Sequence, residues 1–130
     1  MAELSPGEQI AELKVTPDKY LPHRYAGASG DFNPIHIDPE FAKAVGLPNT
    51  ILHGLYMMGL TARAAAEAAG GDPRSLKRLS VQFRGMGAPE TEITVSGTVK
   101  SVEGGRAVID VVAAQGDNQT IRNAEAEVAL

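Results

Sequence analysis

The chain contains no cysteine. That single absence excludes disulfides, zinc sites built on thiolates and cysteine nucleophiles, and it is compatible with the reducing cytoplasm taken as the expected location. It also lacks any run of five basic residues, and its 12 Lys and Arg against 16 Asp and Glu leave a net charge of -4. A nucleic-acid partner is therefore not expected. No apolar stretch is long enough to span a membrane, because residues 51–71 are interrupted by His53, Arg63 and Glu67. The first residues, "MAELSPGEQIAELKV", have no apolar h-region and carry early acids. No signal peptide is expected there. There is no internal repeat and no low-complexity segment.

What is present is a chain of 130 residues with 43% hydrophobic and 22% charged residues. That fits one ordinary globular domain over 1–130, one able to bury roughly two thirds of its unfolded surface. Residues 8–15 read as a first strand. A short helix is expected from Pro17 to about Gly27, with Thr16 as its cap and proline in the first turn. Residues 28–37 read as a loop. Asp38-Pro39-Glu40 opens a second short helix, with Asp38 as N-cap and Gly46 as its stop. Residues 54–69 are strong helix formers, apolar or small nearly all round, as in a buried helix. Beyond Gly70-Gly71-Asp72-Pro73, alternation of apolar and polar residues marks strands at 79–84, 93–102, 106–114 and 120–130. One strand, helices and then four strands suit an α+β domain with an antiparallel sheet wrapped on a helix.

The densest chemistry lies in "SGDFNPIHIDPEF" at 29–41. Asp31 and His36 stand five residues apart with Pro34 stiffening the span, and two groups of different proton affinity held close can share and deprotonate a water. Asn33 between them offers both a donor and an acceptor to fix the loop. Turn formation is the competing reading for Asp31 and Asn33, and a hydrogen-bonded, partly buried ring is the competing reading for His36. A calcium loop is rejected: Ile35, His36 and Ala42 occupy the places of a ligand, the required glycine and the closing glutamate. A zinc site is rejected because His23, His36 and His53 show no helical pairing and there are no thiols. His53-Gly54 marks the start of the buried helix, whose first N–H groups are unpaired and carry partial positive charge. With no side chain on Gly54, a substrate carbonyl could approach that N–H, which would stabilise a developing oxyanion; relief of crowding is the alternative. Gly85-Met86-Gly87 does not lead into a helix, so no dinucleotide loop is expected. No serine sits in a nucleophile-elbow setting.

The segment "YAGASGDFNPIHIDPEFAKAVGL", followed by "ILHGLYMMGL", resembles the MaoC-like (R)-specific enoyl-thioester hydratases and dehydratases. The resemblance spans residues 25–60 and centres on Ser-Gly-Asp-x-Asn-Pro-Ile-His. It implies a hotdog fold, an antiparallel sheet around a central helix. It further implies that Asp31 and His36 activate one water for addition to C3 of a trans-2-enoyl thioester, with the reverse reaction dehydrating a (3R)-3-hydroxyacyl thioester. Gly54 would polarise the thioester carbonyl, and Asn33 and Ser29 would support the loop. Leu55, Tyr56 and Met57 would lie near the acyl tunnel, and Arg84 would contact pantetheine or phosphate, a solvated strand charge being the competing reading for it. No metal and no organic cofactor is implied. The partners implied are a coenzyme A or acyl-carrier-protein thioester and a second copy in a homodimer, or a heterodimer in which this chain is the catalytic subunit. A thioesterase on the same fold is the other enzymatic reading. Two departures from relatives stand out. Phe83-Arg84 is followed by Gly85-Met86-Gly87-Ala88-Pro89-Glu90 rather than proline and Pro-Gly-Asp. The central helix offers Gly59, Thr61 and Ala62 where some relatives carry a serine.

Overall fold

In the computed structural model, which describes residues 3–130, the alternating second half forms four long strands. These are β2 (Leu76–Phe83), β3 (Ile93–Glu103), β4 (Arg106–Gln115) and β5 (Asn118–Ala129), joined at one edge by the short β1 (Leu13–Val15). All pairings are antiparallel, and the order is β1-β3-β4-β5-β2. Alternation decides the inner face. Ile93, Val95 and Val99 of β3, Ala107, Ile109, Val111 and Ala113 of β4, and Ala124, Ala126 and Val128 of β5 are all buried. Their neighbours in sequence point to the other face, as the period of two requires.

One helix fills the concave side. Helix α4 (Gly54–Ala68) packs against β2, β3, β4 and β5. Its buried residues are Met57, Leu60, Thr61 and Ala64 to Ala66. Ala64 and Ala65 of the helix share one buried core cluster with Ala107 and Ala113 of β4 and Ala124 and Ala126 of β5. The helix is not buried all round: Gly54, Leu55, Gly59, Arg63 and Glu67 form an exposed stripe at helical spacing, with Arg63 and Glu67 paired at 2.9 Å. The hotdog architecture expected from the sequence is the one observed.

Between β1 and α4 the chain builds a hood of three short helices, α1 (Leu21–Ser29), α2 (Pro34–Ile37) and α3 (Pro39–Ala44). Several expected boundaries shift here. The first strand shrinks to Leu13–Val15, with an isolated bridge from Gln9 to Thr98 before it and backbone bonds from residues 7–10 to Gly97 and Val99 on either side of that bridge. The first helix starts at Leu21, not Pro17: residues 17–20 instead form a turn in which Asp18 accepts from the Tyr20 N–H, and Pro22 takes the proline-tolerant first turn. Thr16 therefore caps nothing. The expected loop at 28–37 contains α2, because Asn33 accepts from the Ile35 N–H and Pro34 occupies its first turn. Helix α3 and its Asp38 cap appear as expected. Strand β2 begins three residues early, at Leu76.

Candidate active site

The site is assembled from the hood and from the first turn of α4. Helix α1 ends at Gly30, whose φ of 80° is the left-handed turn open to glycine, and whose N–H closes on the Ala26 carbonyl at 2.8 Å. The chain then runs through three successive side-chain turns. Ser29 Oγ accepts from the Asp31 N–H, Asp31 Oδ1 accepts from the Asn33 N–H, and Asn33 Oδ1 accepts from the Ile35 N–H, each at 3.2 Å. These short local bonds hold a polar segment that has almost no apolar burial of its own.

One turn of α2 then delivers His36, which is 7% exposed, beside Asp31. Its Nδ1 lies 2.8 Å from the Ile51 carbonyl. A carbonyl can only accept, so the neutral ring carries its proton on Nδ1 and its lone pair on Nε2. That Nε2 faces Asp31 Oδ2 at 3.9 Å. The gap is too long for a direct hydrogen bond, but a water about 2.8 Å from each atom would span it. Each group has one end already committed, Oδ1 to the Asn33 amide and Nδ1 to Ile51. The two remaining ends converge.

His53 lies under this pair. Its ring stacks on His36 at a centroid distance of 3.8 Å and 19°, and its Nε2 donates to the Asp31 backbone carbonyl at 3.0 Å. Asp31, His36 and His53 each bring one ligand-type atom within 4.8 Å of the others. The stack speaks against a metal there, because nearly parallel rings send their lone pairs side by side, whereas zinc ligands must converge at about 2.0–2.1 Å.

Helix α4 begins at Gly54, and no side chain caps its first turn. That first turn borders a cavity of about 290 Å³ lined by Tyr25, Ser29, Asp31, His53, Gly54, Leu55 and Phe83. The Phe83 ring lies on Gly54: a Cβ there would sit 3.2 Å from two ring carbons. A side chain at this position would press on the ring and would stand in the way of a group approaching the amide.

The other expected residues fall in different places. Leu55 is exposed on the wall of this cavity. Tyr56 is half-buried edge-on to Tyr25, with ring centroids 5.7 Å apart, and burial raises its phenol above the usual tyrosine value. Met57 is buried in the core beside Leu52 and Gly87. Thr61 donates to the Met58 carbonyl at 2.6 Å, so its hydroxyl is spent on its own helix. Arg84 lines a separate cavity of about 1000 Å³ together with Lys19, His23, Ile51 and Met86. Its Nη2 donates to Gln82 Oε1 at 2.9 Å, and Asn123 Nδ2 donates to that same oxygen. The loop after Arg84 is clamped from β4, where Gln115 bonds both backbone groups of Ala88 at 2.8 Å. Reading by sequence missed the ring of His53, and with it Tyr25 and Phe83. The only local signal for His53 was its place before Gly54, and for Phe83 its place beside Arg84.

Residues 5–120 match the family model described as MaoC like domain. The chain is 36% identical over 120 residues to enoyl-CoA hydratase ChsH3 of Mycobacterium tuberculosis, covering 92% of this chain and 40% of that protein. It spans still smaller shares of other curated relatives that it matches. Among solved structures it resembles the (R)-hydratase from A. caviae involved in PHA biosynthesis, with a TM-score of 0.88, 25% identity and coverage of 98% and 97% of the two chains. It also resembles a chain of the ChsH1–ChsH2 complex from Mycobacterium tuberculosis, with a TM-score of 0.87, 25% identity and coverage of 98% and 99%.

Proposed function

This chain belongs to the MaoC-like domain family, and from that premise we propose that residues 1–130 form one domain that hydrates trans-2-enoyl thioesters and dehydrates (3R)-3-hydroxyacyl thioesters. The observation that carries this reading is the 3.9 Å gap between Asp31 Oδ2 and His36 Nε2, with the other end of each group already engaged. A water in the gap donates one hydrogen bond to the carboxylate and gives a proton to the Nε2 lone pair. Its oxygen forms the bond to C3, the C2–C3 double bond becomes an enolate, and a proton is returned to C2 on the same face. The Gly54 N–H at the uncapped start of α4 stabilises the enolate oxygen as charge develops. Asn33 and Ser29 hold the loop, and Leu55 borders the acyl group. Arg84, braced by Gln82 beside Lys19 and His23, meets the phosphate-bearing carrier, whether coenzyme A or acyl carrier protein.

The working unit is a homodimer in the cytoplasm. Among the described residues strand β2 pairs with β5 alone, leaving its outer edge open, and Phe83 at its end is 51% exposed. An open strand edge invites pairing with a second copy. The ChsH1–ChsH2 relative is a complex of two different chains, which supports the alternative of a heterodimer with this chain as the catalytic partner.

The test is to mix the protein with crotonyl-CoA and follow loss of the enoyl-thioester absorbance. No loss, with short or long acyl chains and with either carrier, overturns the assignment. A thioesterase would direct the same water to the thioester carbon, and release of free thiol without hydration would establish that reading instead.

A further inference from the structure

We infer that His53 is the positioning residue of the Asp31–His36 pair, fixing the loop through a donated hydrogen bond and the ring of His36 through stacking. The catalytic meaning of this inference rests on the hydratase reading; its geometry does not.

His53 is 2% exposed. It stands immediately before α4, the most rigid anchor near the site, because that helix is packed on four strands. From there its Nε2–H reaches the backbone carbonyl of Asp31, 22 residues away in the chain, at 3.0 Å. The side-chain bonds made by residues 29–35 themselves span only two residues each, and the long-range backbone bond of this segment, from the Ile51 N–H to the Ile35 carbonyl at 3.1 Å, holds its far end. Bonds of two-residue range shape a turn but cannot tell the turn where to stand relative to the sheet. The His53 bond ties the loop to the core at the residue that carries the carboxylate.

The face of the ring acts on the second member. His36 lies on it at 3.8 Å, and Tyr25 packs against His53 with a centroid distance of 4.8 Å and a tilt of 49°. His36 is therefore held in plane by the stack and in rotation by Ile51. The nitrogen left over supports the assignment. With its proton on Nε2, His53 carries a lone pair on Nδ1, and that atom is buried with no hydrogen-bond partner. An apolar aromatic ring would fill the space without an orphaned acceptor. What such a ring could not supply is the Nε2 donor.

The experiment uses the full chain, with crotonyl-CoA as the probe. His53→Phe keeps the stack and removes the donor, whereas His53→Gln keeps a donor near the Nε2 position. His53→Phe is expected to lower kcat about 100-fold with KM within about twofold, as for a small misplacement of reacting groups, and His53→Gln to recover most of that loss. Parental kcat in His53→Phe, or equal loss in both variants, would overturn the inference. Nitrogen NMR of the isotope-labelled parent should find the proton of His53 on Nε2 and that of His36 on Nδ1. A proton on Nδ1 of His53 overturns the inference even if neither variant folds. If the parent hydrates no enoyl thioester, the hydratase reading fails by itself. Hydrogen exchange at the Asn33 and Ile35 amides then decides the positioning role: faster in His53→Phe but not in His53→Gln supports it, and unchanged rates overturn it.

Discussion

The sheet with its central helix and the hood at 16–53 are held together by different forces. In the first, whole faces are apolar: Ile93, Ile109 and Ile121 are fully buried, and each contributes about 1.5–3 kcal/mol by leaving water. In the second, residues 29–35 of the proposed site are largely exposed and are shaped by side-chain-to-backbone bonds two residues long, with His36 and His53 buried beside them. A scaffold made of many small apolar contacts tolerates loss of a polar group elsewhere. A site made of a few directional bonds does not. The contrast predicts that stability and activity separate cleanly between the two regions.

The sharpest break should come at Asp31. Asp31→Asn is expected to lower kcat by about 10³-fold, within the range for a lost acid–base group, while the melting temperature stays near the parent's because the side chain is exposed. Steady-state hydration and calorimetry together check this, and a variant turning over at near-parental rate would show that the pair is misassigned. The converse break is Ile109→Ala, in the centre of β4. Unfolding free energy in denaturant should fall by about 2–5 kcal/mol, with kcat per folded molecule unchanged.

A finer comparison lies inside the hood. Asn33 and Asp38 both cap a short helix, so replacing either with alanine should cost about 1 kcal/mol. Only Asn33→Ala should also reduce kcat, because its cap aims α2 and hence His36. Equal activity in the two variants would show that the cap of α2 does not position the ring. The smallest effect is expected at Tyr56. Its phenol is held above the usual value of 10.0 by burial, so its neutral form favours the folded state. That contribution is complete below the unfolded pKa and is lost as pH rises through the folded one. Tyr56→Phe should therefore flatten the alkaline decline in stability seen by thermal melts above pH 10.

Much of this was legible along the chain. Alternation placed β3, β4 and β5 to within a few residues, because strands that bury one face must repeat with period two. Asp38-Pro39 announced α3 by cap chemistry alone. Asp31, Asn33 and His36 stood out as a dense polar cluster around a proline. Where reading failed, long-range contacts had overruled local preference. The segment before β1 follows β3 through backbone bonds of Gly7 and Glu8 to Val99 and of Ile10 to Gly97, but forms a single bridge there and no continuous strand. Pro17 looked like a helix start, yet the turn bonded to Asp18 moved the start to Leu21. Leu55 and Met57, two residues apart on one helix, part company because a helix turns 100° at each step, sending one to the cavity wall and the other into the core.

Residue order by itself determined the alternating faces, the helix caps and the cluster of groups able to move a proton, since each depends on neighbours within a turn or two. Only the tertiary structure decided which nitrogen of His36 is free and where the pair stands. Ile51 engages Nδ1 of His36 and leaves Nε2 free, and His53 sets Asp31 and His36 against the start of α4. Hydrogen bonds and ring stacks are directional contacts between groups distant in sequence, and their geometry exists only once the core has brought those groups together.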